Sequence, residues 1–484
     1  MTLNTIEKIP SSSARELPLV VDLDGTLLRS DMLVESAFAR LAASPSSILA
    51  MLKALLGGRA ALKHHLASDF DFDPAILPYD DVVLAEIRAA ADEGRPVYLA
   101  SASNERIVST IATHLGLTGW FASDAANNLS GEAKAQKLAE VFGQGGFVYV
   151  GNGRADLPVW ARAGQIFCVR VPAGVAREVA TIDPGATFLP SENPTLKTWM
   201  KLFRVHQYTK NALLFVAALT AHAFSLFALT HAFAGALAFS LCASSVYILN
   251  DLADLAADRA HPTKRFRPLA AGTIPIIQGV LAVPLPLIAA FAIAFAISTP
   301  FAGVLLGYFV LTTAYSFYLK RKVLIDVIVL SALYTVRVVA GAVAIGVGVT
   351  EWLLAFSTFI FTALALVKRI IELAGRPGAK KSSLANRGYR AEDMPVICGL
   401  AAAAGFNAVT VFALYVSSET TMRLYGHPQV LWLICPLLMY WIGRMLIGAN
   451  RGKIDDDPIV FALRDRVSLV TIALMGLLVV AATW

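Results

Sequence analysis

From about residue 205 to Trp484, apolar runs long enough to cross a bilayer follow one another with short polar connections. A backbone in hydrocarbon must satisfy its N–H and C=O groups within the segment, so such runs can only be helices. This feature makes the C-terminal part of the chain an all-α integral membrane bundle. Nine spans are expected, at Ala212–Leu229, Ala232–Leu249, Ile274–Ile297, Phe301–Leu319, Leu324–Val347, Trp352–Ile371, Pro395–Val416, Val430–Ile447 and Val467–Trp484. The chain is 56% hydrophobic and 16% charged, but the apolar excess is uneven, and residues 1 to about 195 read as an ordinary soluble domain.

The net charge of +6 is therefore read by topology and gives no sign of nucleic-acid binding. Connections at residues 298–300, 348–351 and 417–429 are nearly free of Lys and Arg, Arg423 excepted, and the alternate connections carry most of the rest. That asymmetry puts the N-terminus in the cytoplasm and the C-terminus outside a bacterial inner membrane, and an odd number of spans agrees with it. Residues 1–16 form a polar tail without the apolar stretch of a secretory signal. The four cysteines, Cys168, Cys242, Cys398 and Cys435, show no paired spacing and read as buried thiols in a reducing compartment.

The second apolar run ends in Asn250-Asp251-Leu252-Ala253-Asp254-Leu255-Ala256-Ala257-Asp258. Acids at spacings of three and four share one helix face and repel each other unless a cation lies between them. Hard oxygen donors favour Mg²⁺. Arg259, Lys264, Arg265 and Arg267 follow at once, so metal ligands adjoin anion-binding cations, a pattern suited to a metal-bound diphosphate. Arg337 lies inside the fifth span, where a charge is costly and marks a functional site by default. Asp326, which opens that span, is placed to pair with Lys320 or to serve the site. Asp455-Asp456-Asp457-Pro458 before the last span reads as a further acidic ligand set, as acids that contact substrate hydroxyls, or as a solvated loop.

In the soluble part, Leu19-Val20-Val21 is a short buried-strand pattern running into Asp22-Leu23-Asp24-Gly25-Thr26. Two aspartates two apart at a strand end point into one pocket, as a carboxylate nucleophile and an acid/base with Mg²⁺ require. This sequence resembles the haloacid dehalogenase (HAD) superfamily of phosphohydrolases over about residues 17–185. The resemblance implies a Rossmann-type parallel α/β sheet with a small helical cap between residues 29 and 95. It also implies that Asp22 is the nucleophile and Asp24 the acid/base. Ser101, after the strand Val97–Ala100, and Lys134, or failing it Lys137, would hold the phosphoryl group. Asp22, Asp24, Asn152 and Asp156 would ligate Mg²⁺, with Asn152 standing where the family has an acid.

A Pro-, Gly- and Ser-rich stretch, Asp183 to Pro194, separates this domain from a linker and amphipathic helix within residues 186–208. Residues 209–484 then form the membrane domain. An apolar helix ending in NDxxDxxxD, followed by a basic segment and Arg267-Pro268, resembles the UbiA superfamily of intramembrane prenyltransferases. The run Asp258 to Pro268, with Gln207 to Asn211, Tyr318 to Lys320 and Lys368 to Glu372, is similar to its decaprenyl-phosphate phosphoribosyltransferase branch. No second acidic DxxxD segment follows the sixth span; Gly375 to Lys381 is basic instead, with Arg387 and Arg390 beyond. The resemblance implies a Mg²⁺-dependent transfer of 5-phosphoribose from phosphoribosyl diphosphate (PRPP) to a polyprenyl phosphate lipid. Asn250, Asp251, Asp254 and Asp258 would hold the metal. Lys210, His261, Lys264, Arg265, Arg267, Lys320, Arg337, Lys368, Arg369 and Glu372 would contact substrates.

The HAD-like domain would then remove the 5-phosphate. Alternatives are prenyl transfer to an aromatic acceptor, a transporter with a soluble regulatory domain, and a catalytically silent HAD-like module. Whether copies assemble as a homo-oligomer is left open.

Overall fold

The computed structural model describes residues 17–44, 46–68, 70–124, 127–191, 193–374, 388–454 and 457–483. The tail 1–16, most of the basic segment after the sixth expected span (375–387) and residues 455–456 lie outside them. The chain forms two compact units. One comprises the residues up to Phe203 with Tyr247–Val283, the other Arg204–Val246 with Pro284–Trp484.

The first unit is built on six strands, β1 (Leu19–Val21), β2 (Val97–Asn104), β3 (Gly119–Ser123), β4 (Val148–Gly151), β5 (Gln165–Cys168) and β6 (Thr187–Phe188). All neighbours are parallel, in the order β3-β2-β1-β4-β5-β6. Parallel neighbours need long crossovers, and α5 (Glu105–His114) and α6 (Glu132–Phe142) lie between β2 and β4 in sequence. Alternate residues feed opposite faces of the sheet. Leu19, Val21, Val97, Leu99, Val148 and Val150 belong to one core. Val20, Tyr98, Ala100, Tyr149 and Ile166 belong to the other. Four helices occupy the insertion between β1 and β2: α1 (Met32–Ala43), α2 (Ser47–Leu56), α3 (Arg59–Ser68) and α4 (Asp81–Asp92). The Asp31 carboxylate caps α1, accepting from the Leu33 and Val34 amides, and Asp80 caps α4 in the same way. The expected HAD-like sheet with a helical cap is therefore present.

Nothing in the linear order of the chain announces what else the first unit contains. The segment around the acidic series packs with it. Leu202, Ile248, Leu252, Leu255, Leu269, Ile274 and Ile276 form a buried cluster against which Val34 and Phe38 of α1 pack. Gly272 takes φ +66°, and a Cβ there would lie 2.4 Å from the Arg29 Cβ and 2.6 Å from its carbonyl oxygen, so the two loops touch backbone to backbone. At the centre of this contact Arg259 donates to both Glu35 oxygens, at 2.7 and 2.6 Å, and through Nε to the Ala270 carbonyl at 3.1 Å. Both side chains are buried. Removing one partner strands the other charge away from water. Arg259→Met should therefore destabilise the full chain by about 3–5 kcal/mol, and adding Glu35→Gln should recover much of that loss. Denaturant unfolding in detergent measures both; additive losses would show that the pair is not coupled.

In the second unit the expected first span is not one helix. Residues Val205–Leu214 form a 3₁₀ run, Phe215–Thr220 a short helix, and His222 turns left-handed with φ +50°. The next helix begins at Leu226 and continues to Ala253. The cause is polar. Lys210 and Asn211 are buried and bonded within the unit, which a straight lipid-facing helix would forbid. The Leu214 carbonyl also lies against Gly341, where any Cβ would come within 1.9 Å. The described residues hold eight helices of membrane length, not nine: Leu226–Ala253, Ile276–Ile297, Thr299–Phe317, Ile325–Ile345, Glu351–Ala374, Ala391–Val416, Pro428–Asn450 and Arg466–Thr483. The chain is an integral membrane protein, but the odd-number argument for the C-terminus loses its support. Val338, Phe361, Leu364, Ile397, Leu438 and Trp441 are among the buried core of this unit.

Candidate active sites

The C-terminal edge of the parallel sheet gathers the first group of side chains. Asp22 directly follows β1, Ser101 and Ser103 lie in β2, and Gly151 closes β4. Lys134, in the first turn of α6, puts its ammonium 2.7 Å from Asp22 Oδ1 and 2.9 Å from the Tyr149 hydroxyl. Thr26 donates to Asp22 Oδ2 at 3.0 Å. Asp24 accepts from the Met32 amide at 2.8 Å, Ser101 at 3.2 Å and Ser103 at 2.5 Å. Asp156 accepts from the Asn152 and Gly153 amides at 3.0 and 3.1 Å and from Tyr149 at 2.7 Å, so it fixes the turn after β4. Gly25, at φ +76°, leaves room for Asn152, whose amide nitrogen would lie 2.1 Å from a Cβ there.

Burial pushes Asp22 up to about 6 despite Lys134, and Asp24 up to about 7. Burial also works against the charge of Lys134, but Asp22 and Asp156 outweigh it and hold the ammonium above its usual value. The pocket thus carries more buried carboxylate than its one lysine neutralises. Two hard oxygen acids with unmet charge suit a divalent cation in donor chemistry. Among the described residues no three acids, histidines or cysteines are already gathered around one point.

The second group lies where the long helix ends. Asp251 is in its last turn, Asp254 at the break, and Asp258 in the short helix Leu255–Ala260. One Arg267 nitrogen donates to Asp251 at 3.1 Å and to Asp258 at 2.5 Å. Two carboxylates seven residues apart thus converge on a single positive charge, a donor set that also fits a divalent ion. Burial raises the Asp258 carboxyl although Arg267 opposes it. The structure gives Arg267 to the acids, where the sequence reading had it on a phosphate. His261 accepts from the Lys264 amide at 3.3 Å and so caps its own loop. Lys264 and Arg265 are exposed, Arg265 lying over the Phe266 ring.

The third group belongs to the second unit. Lys210 and Lys368 both reach Asp457 Oδ2, at 2.5 and 3.4 Å. Burial works against the Asp457 charge, but Lys368 and Lys210 hold its carboxyl far below the usual range. Each of the three Arg337 nitrogens has a partner inside the bundle. The side chain donates to Asn211 at 2.9 Å, to the Tyr308 hydroxyl at 2.8 Å and to the Leu333 carbonyl. Its expected reach to a phosphate is replaced by internal partners. Arg369 pairs with Asp326 at 3.1 Å and with Glu372. Asp326 also accepts from Tyr389 at 2.5 Å, so Arg369 and Tyr389 hold it where pairing with Lys320 is one of the two roles the sequence offers. Lys320 lies in the 3₁₀ turn Leu319–Arg321. Sequence reasoning missed Glu35, Ser103, Tyr149 and Tyr334. It left Asp457 undecided between ligand and solvated loop, though an Asp-Pro before an apolar helix is a cap signal that places it.

A family model described as the UbiA prenyltransferase family matches residues 212–482. The uncharacterized protein y4nM of Sinorhizobium fredii is 39% identical over 461 residues, covering 94% of this chain and 89% of that one. The nodulation protein NoeC of Azorhizobium caulinodans is 32% identical over 275 residues, 57% of this chain and 90% of its own. The decaprenyl-phosphate phosphoribosyltransferase of Mycobacterium tuberculosis is 30% identical over 293 residues, covering 57% of this chain and 92% of that protein.

Proposed function

The chain belongs to the UbiA prenyltransferase family and is a transferase of that family, and on that premise we propose that it moves 5-phosphoribose from PRPP to a polyprenyl phosphate. The observation that carries the reading is the convergence of Asp251 and Asp258 on one cation at the end of a membrane-length helix, in a chain similar to a decaprenyl-phosphate phosphoribosyltransferase. Asp251 and Asp258, with Asn250 and Asp254 beside them, would hold Mg²⁺. The metal, when bound, neutralises charge gathering on the diphosphate. Arg267, already between the acids, is placed to follow that charge as the bond from the anomeric carbon to the diphosphate oxygen breaks. A phosphate oxygen of the lipid forms the new bond to that carbon, and diphosphate leaves with the electron pair. The nucleophile is already charged and needs no base. Lys210, Lys264, Arg265 and Lys368 are the cations we assign to substrate phosphates; His261 caps the loop that carries Lys264, Lys320 lies in the turn Leu319–Arg321, and Arg369 and Glu372 pair on the helix that carries Lys368.

In the HAD-like pocket, Asp22 attacks the 5-phosphate and Asp24 protonates the departing ribose oxygen, then takes a proton from the water that frees Asp22. Ser101 and Lys134 hold the phosphoryl oxygens. Asn152 adds no charge, so metal binding rests on Asp22 and Asp24, while Asp156 holds the turn. On the charge of its connections, the N-terminal part faces the cytoplasm.

The test is mass spectrometry of lipids after incubating the full chain with PRPP, polyprenyl phosphate and Mg²⁺. We expect a polyprenyl phosphate carrying ribose 5-phosphate, followed by the same lipid lacking the second phosphate. Label entering lipid only from a prenyl diphosphate would replace this reading with prenyl transfer to another acceptor.

A further inference from the structure

The two lysines of the second unit come from distant parts of the chain and meet on one atom. Lys210 belongs to the 3₁₀ run Val205–Leu214, and Lys368 to the helix Glu351–Ala374. Both ammoniums point at Asp457 Oδ2, with the Tyr334 hydroxyl 3.5 Å from the same oxygen. The other carboxylate oxygen is used differently. Asp457 Oδ1 accepts from the Ile459 amide at 3.1 Å and caps the short helix Pro458–Ala462. Thus one oxygen serves the local fold, and the other sits in a cage of donors.

Among the described residues two ammoniums reach a single carboxylate oxygen, although Glu372 also acts on Lys368. A phosphoryl group carries more charge and offers three oxygens to the same donors. The lysines also stand on firmer ground than the acid. Next to Lys210, Asn211 is tied to Ser240 at 2.8 Å and to Arg337 at 2.9 Å. Lys368 rises from a helix of 24 residues. Asp457 sits on a connection between two membrane-length helices and is held by its cap.

We infer that Asp457 is a built-in occupant of a phosphoryl-binding site, and that its carboxylate yields Lys210 and Lys368 to a substrate phosphate monoester when one arrives. The inference rests on the phosphoribosyl-transfer reading only for the source of that phosphate, which is either the 5-phosphate of the donor or the head of the lipid. Asp457 then sets affinity by competition, so that the cations are never left bare in an empty site.

The sign of this effect separates it from a structural role. Isothermal titration of the full chain in detergent would use ribose 5-phosphate and a short-chain polyprenyl phosphate as separate probes. In Asp457→Asn, one probe should bind about tenfold tighter than in the unaltered chain, and the probe that tightens identifies the source. Lys210→Gln or Lys368→Gln should lose that binding and should abolish the gain when combined with Asp457→Asn. Should Asp457→Asn fail to fold, Asp457→Ser keeps a capping oxygen and tests the same sign. Unchanged or weaker binding of both probes in a folded Asp457 variant overturns the inference, as does a gain that survives loss of both lysines. Absence of PRPP label in lipid would strike the transfer reading alone and leave this titration standing.

Discussion

Replacing Asp22 by Asn will lower phosphate release by at least roughly a thousandfold, because the covalent intermediate we assign to this carboxylate cannot form on an amide. The amide keeps the volume and can still meet Thr26, but it removes the charge that Lys134 contacts at 2.7 Å. The readout is inorganic phosphate released from the ribosylated lipid by the full chain. Transfer of PRPP label into lipid should continue, and the product should accumulate with its 5-phosphate in place. If phosphate release is unchanged in a folded Asp22→Asn protein, the HAD-like domain is a silent module and the second reaction belongs elsewhere.

The other large effect is expected at the end of the long helix. Asp251→Asn and Asp258→Asn should each lower transfer of PRPP label to lipid by at least roughly a hundredfold and raise the Mg²⁺ concentration needed for half-maximal rate. Each substitution removes half of the charge that now gathers around Arg267. The guanidinium is then drawn to the remaining acid and competes with the metal for it. Excess Mg²⁺ should restore part of the rate in either variant. A loss that added Mg²⁺ leaves untouched would mean that the acids only position Arg267, and the metal assignment would be withdrawn.

How far these groups could be read from the order of residues depended on whether their geometry is local. Asp22, Asp24 and Gly25 announce themselves because a strand end and a tight turn fix all three within four positions. The two faces of the sheet follow from alternation alone. The helical bundle is equally legible, since length and apolar composition leave a membrane segment no other fold. What could not be read were the partners of charges. Arg259 and Glu35 are 224 positions apart, Lys210 and Asp457 are 247 apart, and no period in the chain links either pair. Arg337 stands out in the sequence because a charge inside a span is costly, but only the fold brings Tyr308, Asn211 and Leu333 to it. The first span misled for a related reason. Its apolar count was sufficient, yet buried polar side chains just before it and a left-handed His222 broke the helix that composition promised.

The shared helix α1 has a consequence for how such a chain can change over time. Its first residue, Met32, donates its amide to Asp24, and one turn later Glu35 grips the arginine that follows Asp258. A substitution that tilts this helix to suit a new phosphate ester also disturbs the acids beyond Arg259. The two proposed chemistries are geared to one shaft, and selection acting on either must be tolerated by both.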